Sequence, residues 1–166
     1  MGEERVYLGL GSNFPAKEKR LREAIAAINK LANLRIIGKS SVYLTEPQDN
    51  KEQPWFANMA LEIAAAASWT PETLLTALLE IERDLGRVRA GIWRGPRAID
   101  IDLLIYGDRK LATPACVVPH PRLLQRAFAL APLLELNPNL MADGRSLRDA
   151  LSVLNWRREG NKIFQE

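Results

Sequence analysis

The chain has 166 residues, 47% hydrophobic and 26% charged, with a formal net charge of +3. That length suits one domain over residues 1–166, with a core from about 5 to 155, able to bury roughly 70% of its unfolded surface. A single cysteine, Cys116, excludes a disulfide framework and a cysteine-based zinc site. With no apolar run of membrane-span length and no charged-then-apolar leader, a cytoplasmic location and no membrane association are expected.

Val6 to Leu10 reads as a short strand, closed by the turn signal Gly11-Ser12-Asn13. Pro15 suits a helix start, and Leu21, Ala24, Ile25, Ile28, Leu31 and Ala32 recur at helical spacing. Leu34 to Thr45 reads as one strand ending at Glu46-Pro47, and a second strand runs from about Trp55 to Ala65 after a polar loop. Thr70-Pro71-Glu72 is a helix start: a capping hydroxyl, proline at the first helical position and an acid in the first turn. Leucines from Leu74 to Leu85 carry that helix to Gly86, a C-terminal stop. An arginine-rich loop then leads into a strand at Asp100. Further helices are expected over Arg122 to Glu135, interrupted near Pro132, and over Ser146 to Leu154. The tail after Asn155 looks poorly anchored, although Trp156 and Phe164 offer rings that can dock. This order predicts an α+β fold with a ferredoxin-like βαββαβ core, an antiparallel sheet with helices packed on it in three αβα layers. Such a topology gathers Gly11-Ser12-Asn13, Tyr43-Leu44-Thr45, Phe56-Ala57-Asn58 and Asp100-Ile101-Asp102 at one edge, with Glu82 and the arginine loop beside them.

The segment Arg94-Gly95-Pro96-Arg97-Ala98-Ile99-Asp100-Ile101-Asp102-Leu103-Leu104 carries the most chemistry. Side chains alternate along a strand, so Asp100 and Asp102 share a face, their Cα atoms about 6.5–7 Å apart. Carboxylates that close repel each other unless a cation lies between them. Four arginines (Arg87, Arg89, Arg94, Arg97) and no acid lie between Leu85 and Ile99, and Arg109, Lys110, Arg122 and Arg126 form a second acid-free block. Carboxylates, a divalent metal, a polyphosphate and guanidinium groups form a consistent set for phosphoryl-group transfer. Salt bridges on an exposed sheet edge are the plain alternative for the two aspartates.

Around Thr45 and over Gln53-Pro54-Trp55-Phe56-Ala57-Asn58, a ring, an amide and a hydroxyl supply what a flat heteroaromatic ligand needs. Core packing competes for Phe56 and, at helical spacing with Leu124 and Leu130, for Phe128. His120, the only histidine, cannot form a multi-histidine metal site. Between Pro119 and Pro121 it is suited to donate to a phosphate or to cap the next helix. Glu82 could equally be a surface acid paired with Arg83 or Arg87.

Taken in this order, these motifs resemble the 6-hydroxymethyl-7,8-dihydropterin pyrophosphokinases of folate biosynthesis. The resemblance covers roughly residues 5 to 155. It rests on Leu8-Gly9-Leu10-Gly11-Ser12-Asn13, Tyr43-Leu44-Thr45-Glu46-Pro47, Phe56-Ala57-Asn58, Glu82 with Gly86-Arg87-Val88-Arg89, Gly95 to Asp102, and Pro119-His120-Pro121-Arg122 with Arg126 and Phe128. It implies transfer of pyrophosphate from ATP to the pterin hydroxymethyl group, releasing AMP, with two Mg2+ ions. By position it implies metal binding by Asp100 and Asp102, a pterin site formed by Thr45, Phe56, Asn58 and Phe128, and phosphate contacts from Arg89 and Arg97. Glu82, Leu103, His120 and Arg126 are implied at the nucleotide. The chain departs from the family at Arg94, where an aromatic is usual and Trp93 stands one place earlier, at Leu79 in place of a polar residue, and at Pro121. Two other readings compete. A basic RNA-binding module of this shape would display aromatics on its central strands, where only Tyr7 is available. A two-metal nucleotidyltransferase leaves Phe56 and Phe128 unexplained. The expectation is therefore a monomer acting on ATP and the hydroxymethyl dihydropterin, with no nucleic-acid partner.

Overall fold

Alternation of Val6, Leu8 and Leu10 with Tyr7, Gly9 and Gly11 sends two different sets of side chains to the two faces of β1 (Glu4–Ser12). α1 (Lys17–Asn29), β2 (Leu34–Lys39), β3 (Tyr43–Thr45), β4 (Phe56–Ala65), α2 (Pro71–Asp84) and β5 (Asp100–Tyr106) follow. Next come the short pair β6 (Leu111–Ala112) and β7 (Val117–Val118), one 3-10 turn at Leu123–Gln125, and α3 (Ala127–Leu136). β8 (Met141–Ala142), β9 (Arg145–Ser146), α4 (Leu147–Ser152), β10 (Trp156–Glu159) and β11 (Lys162–Gln165) complete the chain. The computed structural model describes residues 2–47, 52–86 and 98–166.

The main sheet has the order β10-β11-β3-β4-β1-β5, with β2 also paired to β4. Its pairs are antiparallel except β11 with β3, which run parallel. On one face Val6, Leu8, Leu10, Leu61 and Ile63 pack with Leu21, Ala24 and Ile28 of α1 and Leu74, Leu78 and Ile81 of α2. On the other, Tyr7, Ala60 and Leu104 pack with Leu130 and Leu133 of α3 and Leu147 and Ala150 of α4. The fold is α+β, with helices on both faces of the sheet.

The start of α2 follows the sequence closely. Thr70 Oγ1 accepts from the Thr73 N–H at 3.2 Å, Thr73 Oγ1 accepts from the Thr70 N–H at 2.9 Å, and Pro71 follows the cap. Gly86, just beyond the helix, has φ +82, a conformation only glycine adopts without strain.

Several boundaries differ from expectation. β1 continues through Gly11 and Ser12 rather than turning there, because both residues remain paired with β4. α1 starts at Lys17, two residues after Pro15, with Ala16 in the left-handed region. The single strand expected over Leu34 to Thr45 is two strands. At the break Ser40 bonds Ala60 twice, its N–H to the carbonyl at 2.9 Å and its Oγ to the N–H at 2.8 Å. Glu135 of α3 then accepts from the Ser41 N–H at 2.9 Å and from the Tyr43 hydroxyl. These side chains compete with the ladder and turn the strand. Burial alone would raise the Glu135 carboxyl, but the bonds from Tyr43 and Ser41 outweigh it and hold the group below its ordinary range. Pro132 is buried inside α3 without ending it.

The tail is the largest correction. β10 and β11 form a hairpin around Gly160 and Asn161, a two-residue hairpin signal, with Gly160 at φ +59. Ile163 is fully buried against Tyr43, and Phe164 meets Trp55 edge-on at 5.3 Å. Replacing the cap in Thr70→Ala is expected to lower unfolding free energy by about 0.5–2 kcal/mol in denaturant titrations, and an unchanged midpoint would mean the capping bonds are not formed in solution.

Candidate functional site

The register of β1 assembles the site. Gly11 lies opposite Asn58 on β4 and Asp100 on β5, and Gly9 lies opposite Ala60 and Asp102. The two aspartates therefore stand on one face beside a stripe of bare backbone, while Ile101 and Leu103 between and beyond them go to the opposite core. A β-carbon on Gly11 would overlap Asn58 Oδ1, and one on Gly9 would come within 3.1 Å of Leu104 Cδ1. Neither residue has positive φ, so space is the argument for glycine: something must shift at Gly11, whereas at Gly9 the contact is tight.

This face opens into a cleft of about 480 Å³, within the range of small-molecule sites. Thr45, Phe56, Asn58, Glu82, Asp100, Asp102, Leu103, His120, Arg126 and Phe128 all line it. Ten of the residues singled out in the sequence thus gather in one cavity. Arg89 and Arg97, with the rest of the arginine loop and Trp93 and Arg94, lie outside the described residues. Ser12 and Asn13 do not line the cleft. Both are buried: Ser12 Oγ accepts from the Phe14 N–H, and Asn13 Nδ2 donates to Gln53 Oε1 at 2.7 Å.

Neighbouring strands join the polar groups. Thr45 pairs with Phe56, and Tyr43 pairs with Asn58, across β3 and β4. Asn58 is 8% exposed and donates from Nδ2 to Thr45 Oγ1 at 2.6 Å. That bond engages one of the two amide N–H groups and fixes the orientation of the carboxamide. Phe56 reaches the cleft from the start of β4, and Phe128 reaches it from the first turn of α3, where it also packs against the second core. The Arg126 guanidinium lies 5.4 Å from the Phe128 ring centroid.

Glu82 is 3% exposed and is no ordinary surface acid. Its Oε2 accepts from the Ile101 N–H at 2.6 Å, the amide between the two aspartates. β5 is the last strand of the sheet, so the carboxylate satisfies an edge donor that burial would otherwise leave costly.

His120 sits beyond β7, with its N–H bonded to the Leu104 carbonyl at 2.8 Å. The Arg122 N–H donates to His120 Nδ1 at 3.1 Å, which puts the proton of the neutral ring on Nε2. Burial, then the charges of Arg126 and Arg122, push the imidazole down to about 4. Near neutral pH the ring is an uncharged donor, and guanidinium groups supply positive charge.

Sequence reasoning missed one stretch of the lining, where Pro114, Ala115, Cys116 and Val117 border the cleft. Cys116 is indeed buried, which raises its thiol above the ordinary range, but its position in an apolar run gave no sign of the cavity. Leu79 and Pro121, two of the family departures, are also lining residues.

The architecture and cleft define an α+β protein with an acid pair, an amide–hydroxyl pair and two phenylalanines around one sheet-face cavity. A sequence profile of the 7,8-dihydro-6-hydroxymethylpterin-pyrophosphokinase family matches residues 7–138. The chain is 40% identical over 151 residues to the 2-amino-4-hydroxy-6-hydroxymethyldihydropteridine pyrophosphokinase of Methylorubrum extorquens, covering 91% of this chain and 94% of that one. It is 37% identical over 155 residues to the Bacillus subtilis protein of the same name, covering 93% and 91%. Among solved structures, wild-type Plasmodium falciparum HPPK-DHPS with pteroate has a TM-score of 0.69 at 14% identity, over 90% of this chain and 42% of that one. The chain belongs to the 7,8-dihydro-6-hydroxymethylpterin-pyrophosphokinase family.

The depressed His120 value has a definite sign. As pH falls from 6.5 toward about 4 the unfolded ring takes up a proton that the folded ring refuses, so stability drops across that window and is flat above it. Urea unfolding of the wild-type chain and of His120→Gln, compared from pH 4 to 8, should show the wild type losing ground to the variant only below about 6.5. Parallel pH curves would mean the ring is not shifted.

Proposed function

We propose that this cleft transfers pyrophosphate from ATP to the hydroxymethyl group of 6-hydroxymethyl-7,8-dihydropterin, releasing AMP, in folate biosynthesis. The observation that carries it is the common face shared by Asp100, Asp102, Asn58 and Thr45 in one cavity, in a chain of this family. Phe56 and Phe128 take the two faces of the pterin ring, and the Asn58 amide with Thr45 reads its polar edge. His120 donates from Nε2 to a phosphate oxygen and Arg126 offsets triphosphate charge. Glu82 and Leu103 border the nucleotide, and Arg89 and Arg97 contact the phosphates.

Among the described residues no group of three or more His, Cys, Asp or Glu side chains is placed to hold a metal ion. Two strand-borne carboxylates fit Mg2+ nonetheless, because that ion keeps waters and accepts substrate phosphates beside one or two protein carboxylates. Asp100 and Asp102 would hold the two ions, whose charge would offset that on the transferred group. In the reaction the hydroxymethyl oxygen bonds to the β-phosphorus as the bond from that phosphorus to the α,β-bridging oxygen breaks. The hydroxyl proton passes to water, and charge and positional effects carry the step. The protein's contribution is alignment: the rings and the Asn58–Thr45 pair hold the hydroxyl in line, while Arg126 and His120 hold the chain of phosphates.

The strand order and two crossover helices support the ferredoxin-like description of the core. No helix among the described residues is long and apolar enough to cross a membrane. A single-domain, cytoplasmic monomer without nucleic-acid partners completes the proposal.

Incubation with ATP, Mg2+ and the hydroxymethyl dihydropterin should yield AMP and the pyrophosphorylated pterin; ADP, or no pterin-dependent turnover, would overturn the assignment. Asp100→Asn and Asp102→Asn should each lower kcat by about a hundredfold or more with melting temperature preserved. Near-normal rates would remove the aspartates from the metal role.

A further inference from the structure

α3 begins without a cap of its own. Arg126 occupies the N-cap position and makes no side-chain capping bond, so the first helical N–H groups need partners from elsewhere. One comes from a residue 38 positions downstream, in the last strand: Gln165 Oε1 accepts from the Ala127 N–H at 2.8 Å. The same carboxamide donates from Nε2 to the Gln125 carbonyl at 2.7 Å. Its two bonds fall on the residues immediately before and after Arg126, and Phe128 is the next residue along. A planar amide that both accepts and donates fixes the backbone direction at that point more tightly than a single cap.

The adjoining residue braces the other wall. Phe164 meets Trp55 edge-on, and Trp55 immediately precedes Phe56. Lys17 Nζ donates to the Trp55 carbonyl at 2.9 Å. The hairpin itself is firmly seated, with Ile163 buried and β11 paired in parallel with β3, the strand that carries Thr45. The hairpin itself lies beyond residue 138, where the match to the family profile ends.

We infer that the C-terminal hairpin is a brace for the ring site, and that Gln165 is a positioning residue acting through the start of α3 on Phe128. Gln165 itself does not line the cleft. Its identity as a brace for a pterin ring rests on the pyrophosphokinase reading; its hold on Ala127 does not.

The test pairs Gln165→Ala with Phe128→Ala. Calorimetry with 6-hydroxymethylpterin should show Gln165→Ala weakening affinity on the order of tenfold, the effect of one well-formed hydrogen bond. In the Phe128→Ala background the same change should cost less than about twofold, because the ring it positions is gone. Gln165→Glu keeps an acceptor for the Ala127 N–H and adds an acid at a helix start, so it should fall closer to wild type than Gln165→Ala. An undiminished loss in the Phe128→Ala background, no loss at all, or equal impairment of the Glu and Ala variants would each overturn the brace. If the unmodified chain binds no pterin, the pyrophosphokinase reading fails, and amide exchange at Ala127 still decides the contact. Exchange there should speed up on the order of tenfold in Gln165→Ala; an unchanged rate would overturn the hold on α3.

Discussion

The pairing of β1 between β4 and β5 is the constraint on which the molecule depends. A slip of one residue would carry Val6, Leu8 and Leu10 from a closed core to the open face, at roughly 1.5–3 kcal/mol for each buried side chain. The same slip would bring side chains in place of Gly9 and Gly11 opposite the aspartates and Asn58. Core and site are thus two readings of one register. The apolar face fixes it, and the polar face uses it. This is why a site of small, exchangeable pieces can be rigid: its geometry is inherited from a ladder that the hydrophobic effect holds in place.

The face that carries the site is divided along its length. At one end Tyr7, Ala60 and Leu104 pack with α3 and α4; at the other, Gly9, Gly11, Asn58, Asp100 and Asp102 border the open cleft. The boundary is set by where α3 begins, and Phe128 stands on it, half in the core and half in the cleft. Core packing and ring stacking were posed as alternatives for this residue, but a boundary position lets one side chain do both. Glu82 works similarly on the opposite side. As a helix residue it faces the apolar layer, yet its carboxylate reaches the edge of β5 and closes a backbone donor between two other acids.

The charges follow from this arrangement. Asp100 and Asp102 share one face of the edge strand, and Glu82, from the helix on the other face, is bonded to the backbone amide between them. Arg126 and a neutral His120, late in the β5–α3 connection, line the same cleft, and the backbone N–H of His120 is tied to β5 through the Leu104 carbonyl. The imidazole is kept uncharged because it is buried beside two guanidinium groups, and Arg122 settles its tautomer through the backbone. The cleft therefore combines two carboxylates, a guanidinium group and an uncharged imidazole donor with the rings of Phe56 and Phe128 in one lining.

Much of this was legible from residue order. Thr70-Pro71-Glu72 and Gly86 delimited α2 because capping chemistry is local, and Asp100-Ile101-Asp102 disclosed its shared face because strand periodicity is local too. What escaped was set by contacts between distant segments. The break at Ser40 depends on Ala60 and on Glu135 of α3, and neither neighbourhood announces it. Gly11-Ser12 carried a turn signal that pairing with β4 overrode. The tail was misjudged for the same reason: Gly160-Asn161 is a hairpin signal, but a hairpin of four-residue strands rich in arginine has little reason to dock until Tyr43 and Trp55 are there to meet it. Arg158 lies over the Tyr43 ring at 5.0 Å and Arg157 over Phe164 at 4.0 Å, so the charged residues of the tail are part of what covers the rings. A sequence displays its cations plainly; that Arg158 covers Tyr43 becomes visible only when the sheet has brought residues more than a hundred positions apart into contact.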